Sequence, residues 1–234
     1  MKTLTSSAKP TPTPHVRSST REPVALRQKI LRNASVVFAK YGYEGGSIEK
    51  ITRAAKTHDR MIYYYFGSKE KLYIEVLENV YRDMSEAEAA LALDVTQPLK
   101  SLLAIVDFVW TYYRAHPAFI ALLNTENLRK GRHIKKSKKA HDYAFTAMSL
   151  LDTVLKNGAK ARLFRKDVSA RDVYLLIASM GYFYQSNRYT LSAFLSENTQ
   201  STNALNDWHA FMRETVLQTV KNQTKDATAR RKSS

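Results

Sequence analysis

The chain contains no cysteine. That excludes a disulfide framework, a thiolate zinc site, an iron–sulfur cluster and a cysteine nucleophile. A disulfide-free chain fits a reducing compartment, and a cytoplasmic location is expected. Glycine is scarce, at seven residues in 234. Neither GxGxxG nor GxxxxGKS/T occurs, so glycine-rich phosphate cradles are absent and no cofactor is expected. Apolar runs such as Leu102–Val106 fall far short of the roughly 20 residues that span a bilayer. The first residues do not follow a signal-peptide pattern, and no membrane is expected among the partners. Acidic residues are also few: Asp+Glu 21 against Lys+Arg 37, a formal charge of +16 with pI near 9.9. Such a field attracts polyanions, nucleic acid before an anionic membrane surface or a small acidic ligand. The plain alternative is a soluble protein with basic tails.

What remains is helical. A chain of 234 residues with 44% hydrophobic content is long enough to bury a sizeable core. Residues 1–22, with Pro10, Pro12 and Pro14 among threonines, read as a disordered basic arm, and residues 223–234 as a disordered basic tail. Between them Ile30, Ala34, Val37, Phe38 and Tyr41 follow a helical spacing that Gly42 stops. Ser47 can cap a helix over Ile48–Ala55, and another covers His58–Phe66. Ser68 caps a long helix with the stripe Leu72, Val76, Val80 and Met84. Leu99–His116 is apolar nearly all round, and Pro117 opens a helix that Gly131 ends. The next carries Ile134, His141, Phe145, Met148 and Leu155 and ends by Gly158. Two last helices are expected over Ser169–Arg188 and Thr202–Lys221. No period-2 run stands between turn signals. The expected fold is all-α with about nine helices.

Residues 27–77 carry the informative pattern. A helix leads to Gly42-Tyr43, and two short helices follow with about three residues between them. This is helix–turn–helix spacing, in which the second short helix enters the major groove. The stretch runs Arg27-Gln28-Lys29-Ile30-Leu31, Phe38-Ala39-Lys40-Tyr41-Gly42-Tyr43, Ser47-Ile48, Ile51, Ala54-Ala55, then Ile62-Tyr63-Tyr64-Tyr65-Phe66-Gly67-Ser68-Lys69-Glu70-Lys71-Leu72. It resembles the DNA-binding domain of TetR-family transcriptional regulators. The resemblance implies a reading head over residues 23–70 and an effector-binding and dimerisation domain over 71–222. It implies a homodimer that binds a pseudo-palindromic double-stranded operator and is released by a small molecule. One departure stands out. Where the family usually has Ala-Ala-Gly-Val-Ser, this chain has Ala54-Ala55-Lys56-Thr57-His58. A lysine in a left-handed turn position costs something like 1 kcal/mol.

Chemistry assigns roles along the second short helix. Arg60 can fork onto guanine O6 and N7, and Met61 can touch a thymine methyl. Asp59 either accepts from cytosine or sits at the positive helix N-terminus. Tyr63 and Tyr64 have hydroxyls that reach phosphates or base edges. Thr57 is an alternative cap beside the poorly capping His58, and is a candidate DNA contact. The resemblance places phosphate contacts at Ser47, Tyr64 and Lys69. Tyr65 and Phe66 are expected in the core.

The run from His116-Pro117-x-Phe119 through Glu126 and Asn127 is similar to the C-terminal domain of a TetR subgroup that includes regulators of pyrimidine and aromatic-nitrogen catabolism. A pocket there would be walled by Trp110, Tyr113, Glu126, Asn127 and Phe183, with Gln185 or Tyr182 opposite, and would suit a flat or aromatic effector. The other reading has Glu126 turning to solvent beside an arginine. The basic cluster from Lys130 to Lys139 either attracts an anion or is a solvated face. Dimerisation is expected through Tyr174, Ala178 and Gly181 on one helix and Trp208, Met212 and Val216 on another. An enzyme is not expected: there is no HExxH, no GxSxG, no carboxylate dyad and no metal-ligand spacing.

Overall fold

The computed structural model describes residues 21–94 and 96–222. The two expected arms lie outside those residues, apart from the first turn of the opening helix, and so do the side chains of His141 and Phe145. Ten α-helices are present among the described residues: α1 (Arg21–Gly45), α2 (Ile48–Ala55), α3 (Asp59–Phe66), α4 (Lys69–Ala89), α5 (Pro98–Ala115), α6 (Pro117–Leu128), α7 (Ala140–Lys160), α8 (Ala170–Ser186), α9 (Arg188–Leu195) and α10 (Thr202–Val220). A single 3-10 turn, Ile134–Lys136, joins α6 to α7.

The first three helices and the start of α4 close over one apolar core. Ile30, Ala34 and Phe38 of α1, Ile51 and Ala55 of α2, Ile62 of α3, and Leu72 and Val76 of α4 are buried in it. The spacing explains why: each set recurs every three or four residues, so one face of each helix is apolar. Gly42 breaks α1 with φ +67, a left-handed value that glycine takes without strain. The kink lets Tyr43 and Glu44 turn toward α6.

A second core fills the rest of the molecule. It takes Leu102, Val106 and Trp110 from α5, Phe119 and Ile120 from α6, Val154 from α7, Ile177 from α8, and Met212 and Val216 from α10. Helix α5 is buried on nearly every side, as its composition required. Helix α4 belongs to both cores, so the head is not an independent ball on a string.

The boundaries differ from the sequence reading in three places. Gly158 does not end α7, which continues to Lys160. Gly158 is a glycine because the Phe164 ring presses on it: a Cβ there would lie 1.9 Å from that ring. The helix expected near Arg132 begins only at Ala140. Helix α8 stops at Ser186, and the unanticipated α9 follows, ending at Ser196 with φ +52. Its return is held by Thr199, which is fully buried, donates its backbone N–H to the Ser192 Oγ and accepts the Tyr184 hydroxyl on its carbonyl at 2.8 Å.

Candidate nucleic-acid interface and interior cavity

Helix α2 starts at Ser47, whose Oγ accepts from the Lys50 N–H at 3.2 Å. Its inner face is Ile51, Thr52 and Ala55. Lys56 then takes φ +50 and ψ +57, the strained left-handed turn that its position implied. No side chain caps the start of α3 at His58. Instead the Asp59 carboxylate accepts the Thr52 hydroxyl at 2.8 Å, which pins the crossing of the two short helices.

Ile62 and Phe66 anchor α3 inward. The opposite face presents Arg60, Tyr63 and Tyr64, spaced three and four residues apart and all exposed. Tyr63 is 55% and Tyr64 76% exposed. Leaving large aromatic rings and a guanidinium on one face of a rigid helix is wasteful unless a partner covers it.

Behind the head lies a junction with the body. Lys69 donates to the Glu44 carbonyl at 3.3 Å and sits 4.7 Å over the Tyr43 ring. Burial holds the Lys69 ammonium below its ordinary lysine range, with Glu44 opposing and the Arg129 and Lys50 cations adding to the effect. From the end of α6, Arg129 pairs with Glu44 at 2.7 Å. His133 packs on Tyr43 and Tyr73, with ring centroids at 4.4 and 4.9 Å. Its backbone and ring are both held by the buried Glu126.

On the other side of α6 a cavity of about 320 Å³ opens. Helix α4 contributes Tyr81, Met84, Ser85 and Glu88, and α5 contributes Tyr113. Phe119, Leu123 and Asn127 come from α6 and Tyr143 from α7. Helix α8 supplies Tyr174, Leu175, Ala178, Ser179 and Tyr182. The Tyr182 hydroxyl donates to Asn124 and lies 3.3 Å from the Asn127 amide. Burial raises the phenols: Tyr81 reaches about 12, and Tyr113 and Tyr174 also rise. All three are neutral hydrogen-bonding groups on an apolar wall.

Comparison with known proteins settles the family. Residues 30–76 match the model described as bacterial regulatory proteins, tetR family, and residues 98–216 match the one described as tetracyclin repressor-like, C-terminal domain. The chain belongs to the TetR family. It is 46% identical over 191 residues to the HTH-type transcriptional repressor NicS of Pseudomonas putida, covering 82% of this chain and 90% of that protein. It is 26% identical to the HTH-type transcriptional repressor SCO4008 of Streptomyces coelicolor, over 68% of this chain and 78% of that one. A TetR regulator of Chloroflexus aurantiacus has the same fold, with a TM-score of 0.63 at 20% identity, covering 86% and 99% of the two chains. This chain is accordingly a TetR-type DNA-binding transcriptional regulator.

Within this TetR-family regulator, the candidate DNA residues differ in exposure. Ser47 caps α2 and Thr57 stands in the turn, both half-buried, while Arg60, Tyr63 and Tyr64 are exposed on α3. Met61 is half-buried against the head core. Asp59 is exposed but already engaged with Thr52, which favours the structural reading over a base contact. Lys69 stands at the start of α4, tied to Glu44.

The candidate pocket residues divide. Tyr113, Asn127 and Tyr182 line the cavity. Trp110 does not: it is 1% exposed and packed between Tyr184 and His209. Glu126 points to His133 rather than to the cavity or to an arginine. Phe183 is 54% exposed on the outer face of α8, and Gln185 is buried away from the lining.

The candidate dimer residues divide too. Tyr174 and Ala178 are half-buried and line the cavity. Gly181 lies under Tyr113 and Met212 of the same chain. Met212 and Val216 are completely buried inside one chain, so they have no surface left for a partner. Trp208 remains on a groove with Phe183 and Phe211. Sequence reasoning missed Tyr81, Ser85 and Glu88, although their spacing of four and three residues marks one face of α4.

Proposed function

We propose that this regulator is a cytoplasmic homodimeric repressor that reads a two-fold-symmetric operator through α3 and releases it when a small molecule fills the cavity. The observation that carries the reading is the double role of α6. Phe119, Leu123 and Asn127 face the cavity, while Leu122 enters the head core and Glu126 and Arg129 grip the junction around Tyr43. A ligand that displaces α6 therefore displaces the head.

A second copy is supplied by the outer face of α8, α9 and α10. Phe183, Leu195 and Phe211 are 54%, 58% and 56% exposed there, beside the half-buried Trp208. Apolar side chains of this size, grouped in one groove, suit an isologous interface. Two heads on one two-fold axis then meet half-sites one helical turn apart. The tyrosine-rich wall of the cavity suits a flat or aromatic effector.

The test is stoichiometry on DNA. A selected operator duplex should bind two chains, and Arg60→Ala should weaken it by about 1–3 kcal/mol at one base pair per half-site. One chain per duplex, or an equal loss on every sequence, contradicts the reading.

A further inference from the structure

The cavity holds a carboxylate that no described residue pairs with. Glu88 is 3% exposed and lines the cavity from α4. Among the described residues its side chain makes no hydrogen bond or ion pair. Burial alone pushes its carboxyl up to about 7. Among the described residues the lining contains no lysine, arginine or histidine.

The titratable groups facing it are Tyr81 from its own helix, Tyr113 from α5, Tyr143 from α7, and Tyr174 and Tyr182 from α8. Helix α6 brings only Asn127 and apolar side chains. Phenols do not neutralise a carboxylate. A buried, unpaired carboxylate is costly, and chains tolerate one where a ligand completes it.

We propose that the cavity takes a small organic cation, a protonated amine on a flat or apolar body, with Glu88 as its counter-ion and the tyrosine rings as its wall. A cation gains a charge-assisted hydrogen bond from Glu88 and attraction to the ring faces. Ser85, Ser179 and Asn127 offer oxygens for the remaining N–H groups. A neutral aromatic would fill the space and leave the carboxylate unpaired. An anion would meet a carboxylate with no basic residue beside it among the described residues. The strong positive charge of the whole chain would suggest an anionic ligand, and the cavity lining argues the opposite. The inference rests on the effector reading for its consequence at DNA, while binding is measured on its own.

The experiment is calorimetry on the full chain with three probes of matched shape: benzylamine, benzyl alcohol and benzoate. At pH 8 benzylamine should bind at least about tenfold more tightly than the alcohol, and benzoate least. Between pH 8 and pH 6 benzylamine stays protonated while Glu88 takes up its proton, so its affinity should fall by about tenfold. Glu88→Gln, with folding checked by circular dichroism, should bring amine and alcohol within about threefold of each other. The pH comparison on the unaltered chain stands even if that variant does not fold. Equal binding of amine and alcohol, tightest binding of benzoate, a preference that survives Glu88→Gln, or no heat from any probe at millimolar concentration overturns the proposal. Benzylamine that binds but leaves operator affinity unchanged keeps the ligand class and overturns the effector reading instead.

Discussion

Glu126 and His133 hold each other at two points. The Glu126 Oε1 accepts the His133 backbone N–H at 2.6 Å, and Oε2 lies 2.9 Å from the His133 Nδ1. The same Oε1 accepts the Ile134 N–H at 2.9 Å. Both side chains are buried. One carboxylate therefore closes the turn after α6 and seats the His133 ring on Tyr43 and Tyr73, where body meets head.

Glu126→Ala removes every one of those acceptors. It leaves two backbone N–H groups and a buried imidazole without a partner, at a cost on the order of 3 kcal/mol. Urea unfolding should show a clearly lower midpoint, and operator affinity should fall because the junction loosens. A midpoint equal to that of the unaltered chain would show that the turn is held by other contacts.

Glu88 makes stability depend on pH with a definite sign. Its folded-state value of about 7 stands above the ordinary 4.5. Between those values the folded chain binds more protons than the unfolded one, so the contribution of Glu88 falls as pH rises through this window and is level above it. Glu88→Gln removes the effect. The variant should match the parent near pH 4 and exceed it by on the order of 3 kcal/mol at pH 8. Thermal unfolding at the two pH values checks this, and a difference that does not change with pH would contradict it.

Lys56 carries left-handed strain at φ +50. Its side chain is exposed. Lys56→Gly should stabilise the chain by about 1 kcal/mol, since glycine adopts that conformation without the Cβ clash. The same change lowers the salt dependence of DNA binding only if Lys56 also touches a phosphate. Chemical denaturation measures the first effect. A loss of stability would mean that the lysine stem packs better than its exposure indicates.

Phe211 is exposed at 56% beside Trp208, with ring centroids 5.5 Å apart. Phe211→Glu should leave the single chain folded and shift sedimentation from dimer toward monomer, with operator binding lost in parallel. A variant that remains dimeric would remove this groove from the interface.

The reading head was legible because its pattern is local. Gly42, Ser47, Ile51, Ile62, Phe66 and Ser68 each do what their spacing requires within one short stretch of chain. Lys56 was marked because it stands where the resembled family has a glycine in the turn. The second domain was less legible because helical periodicity shows that a face is buried without showing against what. Met212 and Val216 form a true stripe, yet α5 and α8 of the same chain cover it. Tyr174 and Ala178 lie on one face of α8, and that face meets a cavity. Trp110 has the composition of a pocket wall but is enclosed by Tyr184 and His209. Glu88 could not be singled out among the acidic residues at the end of α4. Only the packing of α5 and α7 on α4 decides which of them is buried. Glu126 finds His133 across a turn that Gly131 allows with φ +70, and no residue spacing announces that partner.

The most direct measurement is selection of bound duplexes from a random DNA library by the full chain at about 150 mM salt, where nonspecific phosphate contacts are weak. A regulator that reads DNA through the exposed face of α3 will enrich one two-fold-symmetric consensus, and Arg60→Ala will relax it at a single position in each half-site. Enrichment of no consensus, with binding that weakens equally on all sequences as salt rises, would mean that the +16 charge acts alone and would contradict sequence reading by this head.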